Sequence, residues 1–355
     1  MTFPTLFKIT PEPFGLDLSD RSIKVANLSK KKGRFYLENF GEETVEEGLM
    51  EDGVIISEKK LALRIAKAVS NLKTGSSGRR YVACSLPEQK SFLHIAQLER
   101  IKKEEIEEAI QREIEANIPM KLADVYFDWE IIPSFQKSSE HFDILISAAP
   151  RDLVDSYNRL FVEAGLVPFS FEPESLALTR CLVKKGVKDM PVLIIDLGHT
   201  RTSFIIYAGG GIRFTSSMQI SGNMMTENIK RDLAIDQNEA ERLKKKVGLD
   251  RDMDKRVFEA IIPAITDLKQ QIGKYMDFYS SHESHIHNGK PSISGILLAG
   301  GGACMRGLAE HLASSLKISV EIADPFVNIA APPRAEKKSV CGEFIKYATA
   351  FGLAS

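Results

Sequence analysis

The sequence predicts an α/β protein built by duplication of one unit, with a small α+β domain inserted into its first half. Strand-like and helix-like segments alternate along the chain, which is typical of an α/β architecture. In addition, the strand–turn–strand unit at 15–25 resembles the unit at 195–205. Each unit carries an aspartate in its first strand, Asp17 and Asp196, about half the chain apart. Internal duplication is the simplest explanation of such a repeat.

The first half opens with a β-meander that leads into a helix. Strands are predicted at 14–18, 23–28 and 34–40, separated by short polar turns. A helix follows at 57–72, with Ser57 as its N-cap.

Residues 80–150 change in character and are predicted to form the inserted domain. Four isoleucines recur every four residues among glutamates, as expected for an amphipathic helix that stops at Pro119. These are Ile106, Ile110, Ile114 and Ile118. Strands are predicted at 125–132 and 142–149, and a helix at 151–164 returns the chain to the first half.

The second half repeats the order of the first, a meander followed by helices. Its predicted strands are 192–197, 202–207, 212–216 and 293–299, and its predicted helices are 221–233, 238–247 and 254–280. The last of these strands runs directly into the triplet Gly300, Gly301 and Gly302.

Composition excludes several classes of protein. The 355-residue chain is 43% hydrophobic and carries 47 Lys and Arg against 48 Asp and Glu. A net charge of −1 disfavours broad binding to nucleic acid, which usually requires a basic excess. The sequence shows no apolar run of about 18 residues and no signal peptide, so a cytoplasmic protein is expected. Its four cysteines are scattered without a CxxC pair, which predicts reduced thiols.

The duplicated unit predicts a binding site for a phosphorylated ligand. Two such units facing each other would bring two polar turns and two carboxylates to one cleft. Backbone N–H groups in such turns bind phosphate oxygens, and carboxylates hold Mg²⁺, usually through water. The alternative is a pair of ordinary β-hairpins with surface aspartates.

Several motifs, taken together in their order, resemble the actin-like ATPase superfamily. Segments 14–19 and 195–202 are similar to its two phosphate loops, and 296–303 to its adenosine motif. Segments 241–244, 172–177 and 347–354 are similar to its E-x-x-K helix and its two connecting segments. Within the superfamily the chain resembles the FtsA-like branch, and there the PilM family of type IV pilus assembly proteins.

The resemblance implies a duplicated actin-like (RNase H-like) ATPase fold with an inserted subdomain of the FtsA type. The first domain would comprise 1–79 and 151–185, and the insert 80–150. The second domain would comprise 186–345, and a closing helix at 346–355 would return to the first.

The resemblance also assigns roles in binding ATP with Mg²⁺. Asp17 and Asp196 would hold the metal through water. The phosphate-binding residues would be Ser19, Ser22, Gly198, Thr200 and Thr202. The nucleoside-binding residues would be Glu241, Lys244, Gly300, Gly301 and Gly302. Glu172 would position the attacking water.

One departure from the family pattern predicts slow or absent hydrolysis. The first phosphate loop lacks the lysine that actin and the chaperones carry there, and Arg21 is the nearest cation in the loop. Without such a cation, charge on the transferring phosphate would be less stabilised. ATP binding is therefore expected, and turnover is expected to be slow at most.

As a partner, the resemblance implies PilN. Its short N-terminal cytoplasmic peptide would occupy a groove between the first domain and the insert, and this would attach the chain to the inner membrane. Other pilus platform proteins and motor ATPases are further candidates. Because the sequence ends at Ser355 without an amphipathic helix, we expect no direct membrane insertion. A true ATPase or phosphotransferase and a polymerising protein are the alternatives.

Overall fold

A computed structural model describes residues 12–72, 81–99, 102–133, 141–186, 191–286, 292–331 and 343–355. Its strands are β1 (Phe14–Leu18), β2 (Ser22–Lys31), β3 (Arg34–Thr44), β4 (Met50–Glu51), β5 (Val54–Ile55), β6 (Tyr81–Leu86), β7 (Phe92–Glu99), β8 (Val125–Ile132), β9 (His141–Pro150), β10 (Val167–Pro173), β11 (Val192–Leu197), β12 (Thr202–Ala208), β13 (Gly211–Met218), β14 (Gly295–Ala299), β15 (Ser319–Ile322) and β16 (Ile329–Ala330). Its α-helices are α1 (Glu58–Ser70), α2 (Lys103–Asn117), α3 (Arg151–Glu163), α4 (Glu174–Leu182), α5 (Gly222–Leu233), α6 (Gln237–Val247), α7 (Lys255–Ile286), α8 (Leu308–Leu316) and α9 (Ala348–Leu353). Among the helices in these ranges, none has the length and apolar character needed to cross a bilayer.

Two sheets with the same strand order form the two halves. In the first, β1 lies between β2, which is antiparallel to it, and β6, which is parallel, and the full order is β10-β6-β1-β2-β3-β16. In the second, β11 lies between antiparallel β12 and parallel β14, in the order β15-β14-β11-β12-β13. The predicted duplication is confirmed, and Asp17 and Asp196 stand on the equivalent central strands β1 and β11.

Side chains alternate between the two faces of the first sheet along β1, and this alternation determines which face carries the polar side chain of Asp17. Leu16 and Leu18 are buried in the core formed with α1 and α3. Gly15 faces the opposite side, where an added Cβ would lie 2.0 Å from the carbonyl oxygen of Ala350 in α9. Only glycine allows this approach. Asp17, two residues further on, shares the face of Gly15.

Helices α4 and α9 connect the halves and cross at small residues. An added Cβ at Gly352 would lie 1.9 Å from the carbonyl oxygen of Ala177 in α4. The small residues at 347–354 therefore permit the close crossing that the sequence predicts. Phe351 of α9 is fully buried, in a cluster that also contains Leu145 of the insert and residues of the second half.

The insert is an antiparallel sheet of order β7-β9-β8 that is covered on both faces. Along β9, Ile144 and Ile146 are buried with α2, whose four isoleucines are buried as predicted. Asp143 and Leu145 point the other way, and Leu145 belongs to the core that includes the second half. The insert therefore packs against the second half as well as being joined covalently to the first.

Two strands of the first sheet, β10 and β16, were not predicted from the sequence. β10 carries Pro168 and Pro173 and a register shift between Pro168 and Ser170, so it lacks a clean alternation. An edge strand tolerates prolines and bulges of this kind. β16 has only two residues, yet it pairs with β3 and returns the chain to the first sheet well before 346. The domain boundaries themselves stay predictions.

The cysteines differ in state. Cys84 and Cys181 are buried free thiols, as expected for reduced cysteines. Cys304 is disulfide-bonded, so the prediction of reduced thiols is wrong at that residue. Cys341 lies outside the described residues.

Candidate functional site

The two polar turns close in the same way. In the first, the backbone N–H of Ser19 donates to the carbonyl of Ser22 at 2.9 Å, and the two hydroxyl oxygens are 3.1 Å apart. In the second, the N–H of Gly198 donates to the carbonyl of Arg201 at 2.9 Å. The predicted phosphate-binding residues Ser19, Ser22, Gly198 and Thr200 thus lie in, or directly flank, two equivalent turns.

Helix α5 begins at the second turn. The N–H of Gly222 donates to the carbonyl of Gly198 at 3.0 Å, and the N–H of Asn223 donates to that of His199 at 2.9 Å. These bonds fix the positive end of the α5 dipole beside the turn, which favours an anion there.

The β4–β5 hairpin contacts both turns. The Asp20 carboxylate of the first turn accepts the N–H of Gly53 at 2.9 Å, and Asp52 lies 3.6 Å from the guanidinium of Arg201 in the second. Arg201 also donates through Nε to the hydroxyl of Ser217 in β13 at 3.1 Å. The two halves therefore meet at the turns through this hairpin.

Asp17 is surrounded by a row of polar side chains that crosses the first sheet. The Ser85 hydroxyl of β6 donates to its Oδ1 at 3.2 Å, and the Lys24 ammonium of β2 lies 3.3 Å from its Oδ2. Burial alone would lower the pKa of Lys24, but the charges of Asp17 and Glu42 outweigh it and the pKa is raised. Lys24 therefore stays charged, and its charge also acts on Asp196.

Lys24 is the cation that the loop-based prediction missed. It lies beyond the turn, but the antiparallel register places it directly opposite Asp17. This position could have been predicted from the sequence. Lys24 lies between the apolar residues Ile23 and Val25, so strand alternation places it on the opposite, polar face, which Asp17 shares. Arg21, the cation considered from sequence, pairs instead with Glu47 at 3.8 Å on the exposed side.

The negative charge of Asp196 is only partly compensated within the protein. Burial first, and then the charge of Asp17, raises the pKa of Asp196 to about 6, against the opposing effect of Lys24. Asp17 and Asp196 thus act on each other across the cleft as predicted from their equivalent positions. The charge and the oxygen donors suit a hydrated Mg²⁺, which would relieve this repulsion. Within the described ranges no group of three or more His, Cys, Asp or Glu side chains is placed to hold a metal ion directly.

The predicted water-positioning residue is engaged elsewhere. Glu172 forms an ion pair with Arg180 of α4, with Nη1 at 2.7 Å from Oε1, and the same Nη1 donates to the carbonyl of Gly352 at 2.8 Å. Its role in hydrolysis stays a prediction. The structure brings a different carboxyl, Glu174, close to the two aspartates.

Glu174 and Glu88 are the acids that sequence reasoning missed. Burial, followed by the charges of Asp17 and Asp196, raises the pKa of Glu174 well above its usual range. Burial also raises the pKa of Glu88, although its carboxylate accepts the N–H of Ser175 at 3.1 Å, at the start of α4. Neither position has a sequence signal, because both depend on where α4 begins relative to β1.

On the nucleoside side, Glu241 and Lys244 form a buried network with α5. The Lys244 ammonium donates to the carbonyl of Gly222 and to the hydroxyl of Thr226, each at 2.8 Å, and lies 2.7 Å from Glu241. Burial would raise the pKa of Glu241, but hydrogen bonds from Lys244 and Thr226 lower it to about 2. All three ammonium protons of Lys244 are therefore engaged within the protein.

The glycine triplet closes against the second turn. An added Cβ at Gly300 would lie 2.3 Å from Oδ1 of Asp196, and at Gly302 it would lie 2.5 Å from the side chain of Leu197. An added Cβ at Gly301 would meet nothing within 4 Å. Thr202 is fully buried and its hydroxyl donates to the carbonyl of Ile220 at 2.5 Å, so it holds the strand rather than facing the cleft.

The comparisons with known proteins decide the family. The profile described as type IV pilus assembly protein PilM matches residues 15–355. The chain belongs to the PilM family. A solved structure described as the PilM-PilN type IV pilus biogenesis complex is 25% identical, covers 97% of each chain and has a TM-score of 0.81.

More distant proteins share the fold of this PilM-family chain. MreB5 of Spiroplasma citri bound to AMPPNP is 13% identical with a TM-score of 0.57, covering 97% of this chain and 95% of its own. The cell division protein FtsA of Enterococcus hirae is 31% identical over 104 residues, which are 29% of this chain and 24% of FtsA. The chain thus spans about a quarter of that FtsA. These likenesses confirm the actin-like fold and the FtsA-like branch.

Proposed function

We propose that the chain is an ATP-binding adaptor of the type IV pilus inner-membrane platform that binds the N-terminal cytoplasmic peptide of PilN. The carrying observation is the likeness, over 97% of both chains, to a PilM whose structure is described as a complex with PilN. The peptide would hold the chain on the cytoplasmic side of the inner membrane. Other platform proteins and motor ATPases remain further partners of this proposal.

The cleft supports nucleotide binding through the two turns and the two aspartates. Bound ATP would bring Mg²⁺, whose charge satisfies Asp17 and Asp196. Lys24, on the β1–β2 strand pair, would offset the negative charge of the phosphates. Lys244 would act by fixing α5 against the second turn, because its own donors are already engaged.

Hydrolysis is expected to be slow. The Arg180 ion pair neutralises Glu172. The raised pKa of Glu174 favours its protonated form, which cannot accept a proton from water until the neighbouring charges are compensated. Phosphate release with excess Mg-ATP, counted against nucleotide bound in the same sample, measures this directly. Sustained turnover would favour the alternative of a working ATPase.

The groove between the insert and the first half suits an extended peptide. β8 is an edge strand of the insert sheet as far as the chain is described, and it runs beside α3 of the first half. Tyr126 is 42% exposed on this strand, its hydroxyl lies 3.3 Å from Asp155 of α3, and Arg151 stacks 4.2 Å from its ring centroid. An edge strand can accept a further strand by main-chain hydrogen bonds, while side-chain pockets give specificity.

The test is a fluorescence anisotropy titration of a labelled peptide from the PilN of the same genome. We expect saturable binding that weakens about tenfold in Tyr126→Ala, because exposed aromatic side chains dominate such contacts. Phe278→Ala is the matched control, since Phe278 is also 42% exposed but lies on α7 of the second half. Absence of binding to the unaltered protein would refute the adaptor proposal.

A further inference from the structure

The turn between β2 and β3 concentrates positive charge at one end of the first sheet. Lys31 and Arg34 are register partners across this hairpin, so two like charges stand directly opposite each other, which is destabilising. Between them, Lys32 and Gly33 both have positive φ, at 51° and 80°. Such a turn favours Asn-Gly, because asparagine adopts the left-handed region more readily than lysine does. The turn therefore carries charge in place of the residues that would stabilise it best.

A second segment, far along the chain, adds two more cations at the same place. Lys184 and Lys185 follow α4, and the N–H of Lys185 donates to Oδ1 of Asn328 at 3.0 Å. Asn328 directly precedes β16, which pairs with β3 at Phe35. The ammonium groups of Lys30 and Lys185 lie 5.2 and 5.5 Å from the centre of the same Phe35 ring. The fold thus joins two basic segments that are widely separated in sequence.

Together these segments form a surface that we call the basic tip. It comprises Lys30, Lys31, Lys32, Arg34, Lys184 and Lys185. All six residues are exposed, and neither segment, 30–34 or 184–185, contains a carboxylate. The Glu38 carboxylate lies 3.0 Å from Lys31, but both side chains are exposed, so solvent screens this pair. In a chain whose net charge is only −1, the basic tip is a strong local excess of positive charge.

The cations of the basic tip surround the hairpin on every side. Lys31 and Arg34 share one face of the strand pair with Tyr36, whereas Lys30 shares the other face with Phe35. Tyr36 is 37% exposed, and the Lys31 ammonium lies 5.8 Å from the centre of its ring. Tyrosine is enriched where proteins meet the headgroups of a bilayer, because its ring is apolar and its hydroxyl polar.

We propose that the basic tip binds an anionic phospholipid surface. Clusters of four to eight Lys and Arg side chains are attracted to the negative surface potential of a bilayer. Fluid headgroups can rearrange around cations that point in several directions, whereas a rigid acidic protein would meet only one face of the hairpin. The chain as a whole lacks the basic excess that is typical of nucleic-acid binding. Adsorption of this kind requires no insertion into the bilayer.

The basic tip is separate from the cleft and from the peptide groove. The pairing of β1 with β2 covers Ile23 to Ala26, so the turn lies beyond it, at the end of the sheet opposite Asp17. Contact with lipid would add to the PilN contact of the proposed function and does not depend on it. Substitutions at the tip should therefore leave binding of nucleotide and of the PilN peptide unchanged.

Vesicle cosedimentation of the purified full chain, without PilN, tests the proposal. We expect binding to vesicles of phosphatidylglycerol and phosphatidylcholine in equal parts, and none above background to phosphatidylcholine alone. The partition coefficient should fall at least about tenfold between about 0.1 M and about 0.5 M salt, since salt screens the attraction. Equal binding to both kinds of vesicle, or binding to neither, would overturn the proposal and leave the PilN adaptor proposal standing.

The surface itself is tested by Lys31→Gln/Lys32→Asn/Arg34→Gln. This variant removes three charges and places Asn-Gly in the turn, so the hairpin should fold at least as well as before. Partition onto the anionic vesicles should fall about a hundredfold, because each basic residue near such a surface contributes roughly fivefold. Unreduced partition would exclude the basic tip as the lipid-binding surface.

The matched control removes the same charge elsewhere. Arg251→Gln/Lys255→Gln/Lys274→Gln alters three exposed cations of the second half. Its partition should stay within about twofold of the unaltered protein, since only charges close to the bilayer contribute. An equal loss in both variants would show that net charge alone governs binding, and would overturn the assignment to the basic tip.

A DNA duplex of random sequence distinguishes lipid from nucleic acid. At equal concentrations of phosphate and equal salt, we expect weaker binding to the duplex than to the anionic vesicles. Tighter binding to the duplex, lost in the tip variant, would overturn the assignment of the basic tip to a lipid surface.

Discussion

At the scale of single residues, Asp196 is placed where its charge is costly until a ligand arrives. Its pKa of about 6 lies above the ordinary 3.8 for aspartate. An acid whose pKa is raised in the folded state binds protons more readily there than in the unfolded chain. Its ionisation therefore lowers the free energy of unfolding as pH rises from about 4 to 6, and this loss is complete above about 6. The shift corresponds to at most about 3 kcal/mol at pH 7.5.

Asp196→Asn is therefore expected to be more heat-stable than the unaltered protein at pH 7.5 without nucleotide, and this advantage should be clearly smaller at pH 4.5, where only part of the cost is present. With Mg-ATP the order should reverse, because only the unaltered chain gains from the metal. Thermal melts at both pH values measure this, with Asp232→Asn on the exposed face of α5 as control. If the variant melts at a lower temperature than the unaltered protein at pH 7.5 without nucleotide, the charge of Asp196 does not destabilise the protein.

Some residues of the candidate site could be predicted from the sequence and others could not. Asp17 and Asp196 were recognisable because duplication repeats a strand and its turn. Lys24 could have been found by pairing residues across that turn. Glu174 could not, since its charged neighbours come from β1, β11 and β2 and from Glu88, and these meet only in the folded chain. Thr202 was assigned to the phosphates by resemblance, and its burial and its hydrogen bond to Ile220 could not be predicted from the sequence.

At the scale of elements, the crossing of α4 and α9 admits no side chain. Gly352→Ala would place a Cβ 1.9 Å from a backbone carbonyl, so the helices would have to separate. We expect a loss of about 3 kcal/mol or more, comparable to overpacking a core. Gly273→Ala is the control, since Gly273 lies inside α7 with nothing within 4 Å of its Cβ position. That change should stabilise by up to about 1 kcal/mol through helix propensity. Urea titrations of both variants compare them, and equal effects would contradict the packing argument.

Elements with strong periodicity were predicted with nearly their observed bounds. The isoleucine series of α2 and the alternation of β8 each encode one buried face. β10 and β16 were not predicted, because one is interrupted by prolines and the other is two residues long. Both strands form because a neighbouring strand offers unpaired backbone groups for hydrogen bonding. This stabilisation depends on the neighbour and cannot be predicted from the local sequence.

At the scale of the whole molecule, one core joins all three parts. The cluster around Phe351 includes Leu145 of the insert, Leu178 of α4 and Ile205 of the second half. We expect a single unfolding transition in scanning calorimetry, with equal calorimetric and van't Hoff enthalpies, because no part can lose its packing alone. Two resolved transitions would show that the halves unfold independently.

The position of α9 in the chain has a consequence for the order of biosynthesis. β1 emerges from the ribosome more than 300 residues before α9, yet the face that carries Gly15 is completed only by α9. Until those residues emerge, the nascent N-terminal sheet keeps one side open to solvent and to unrelated nascent chains. Such long-range closure is slow and exposes apolar surface during synthesis. The sheet around β1 thus depends on protection by chaperones until α9 has been made.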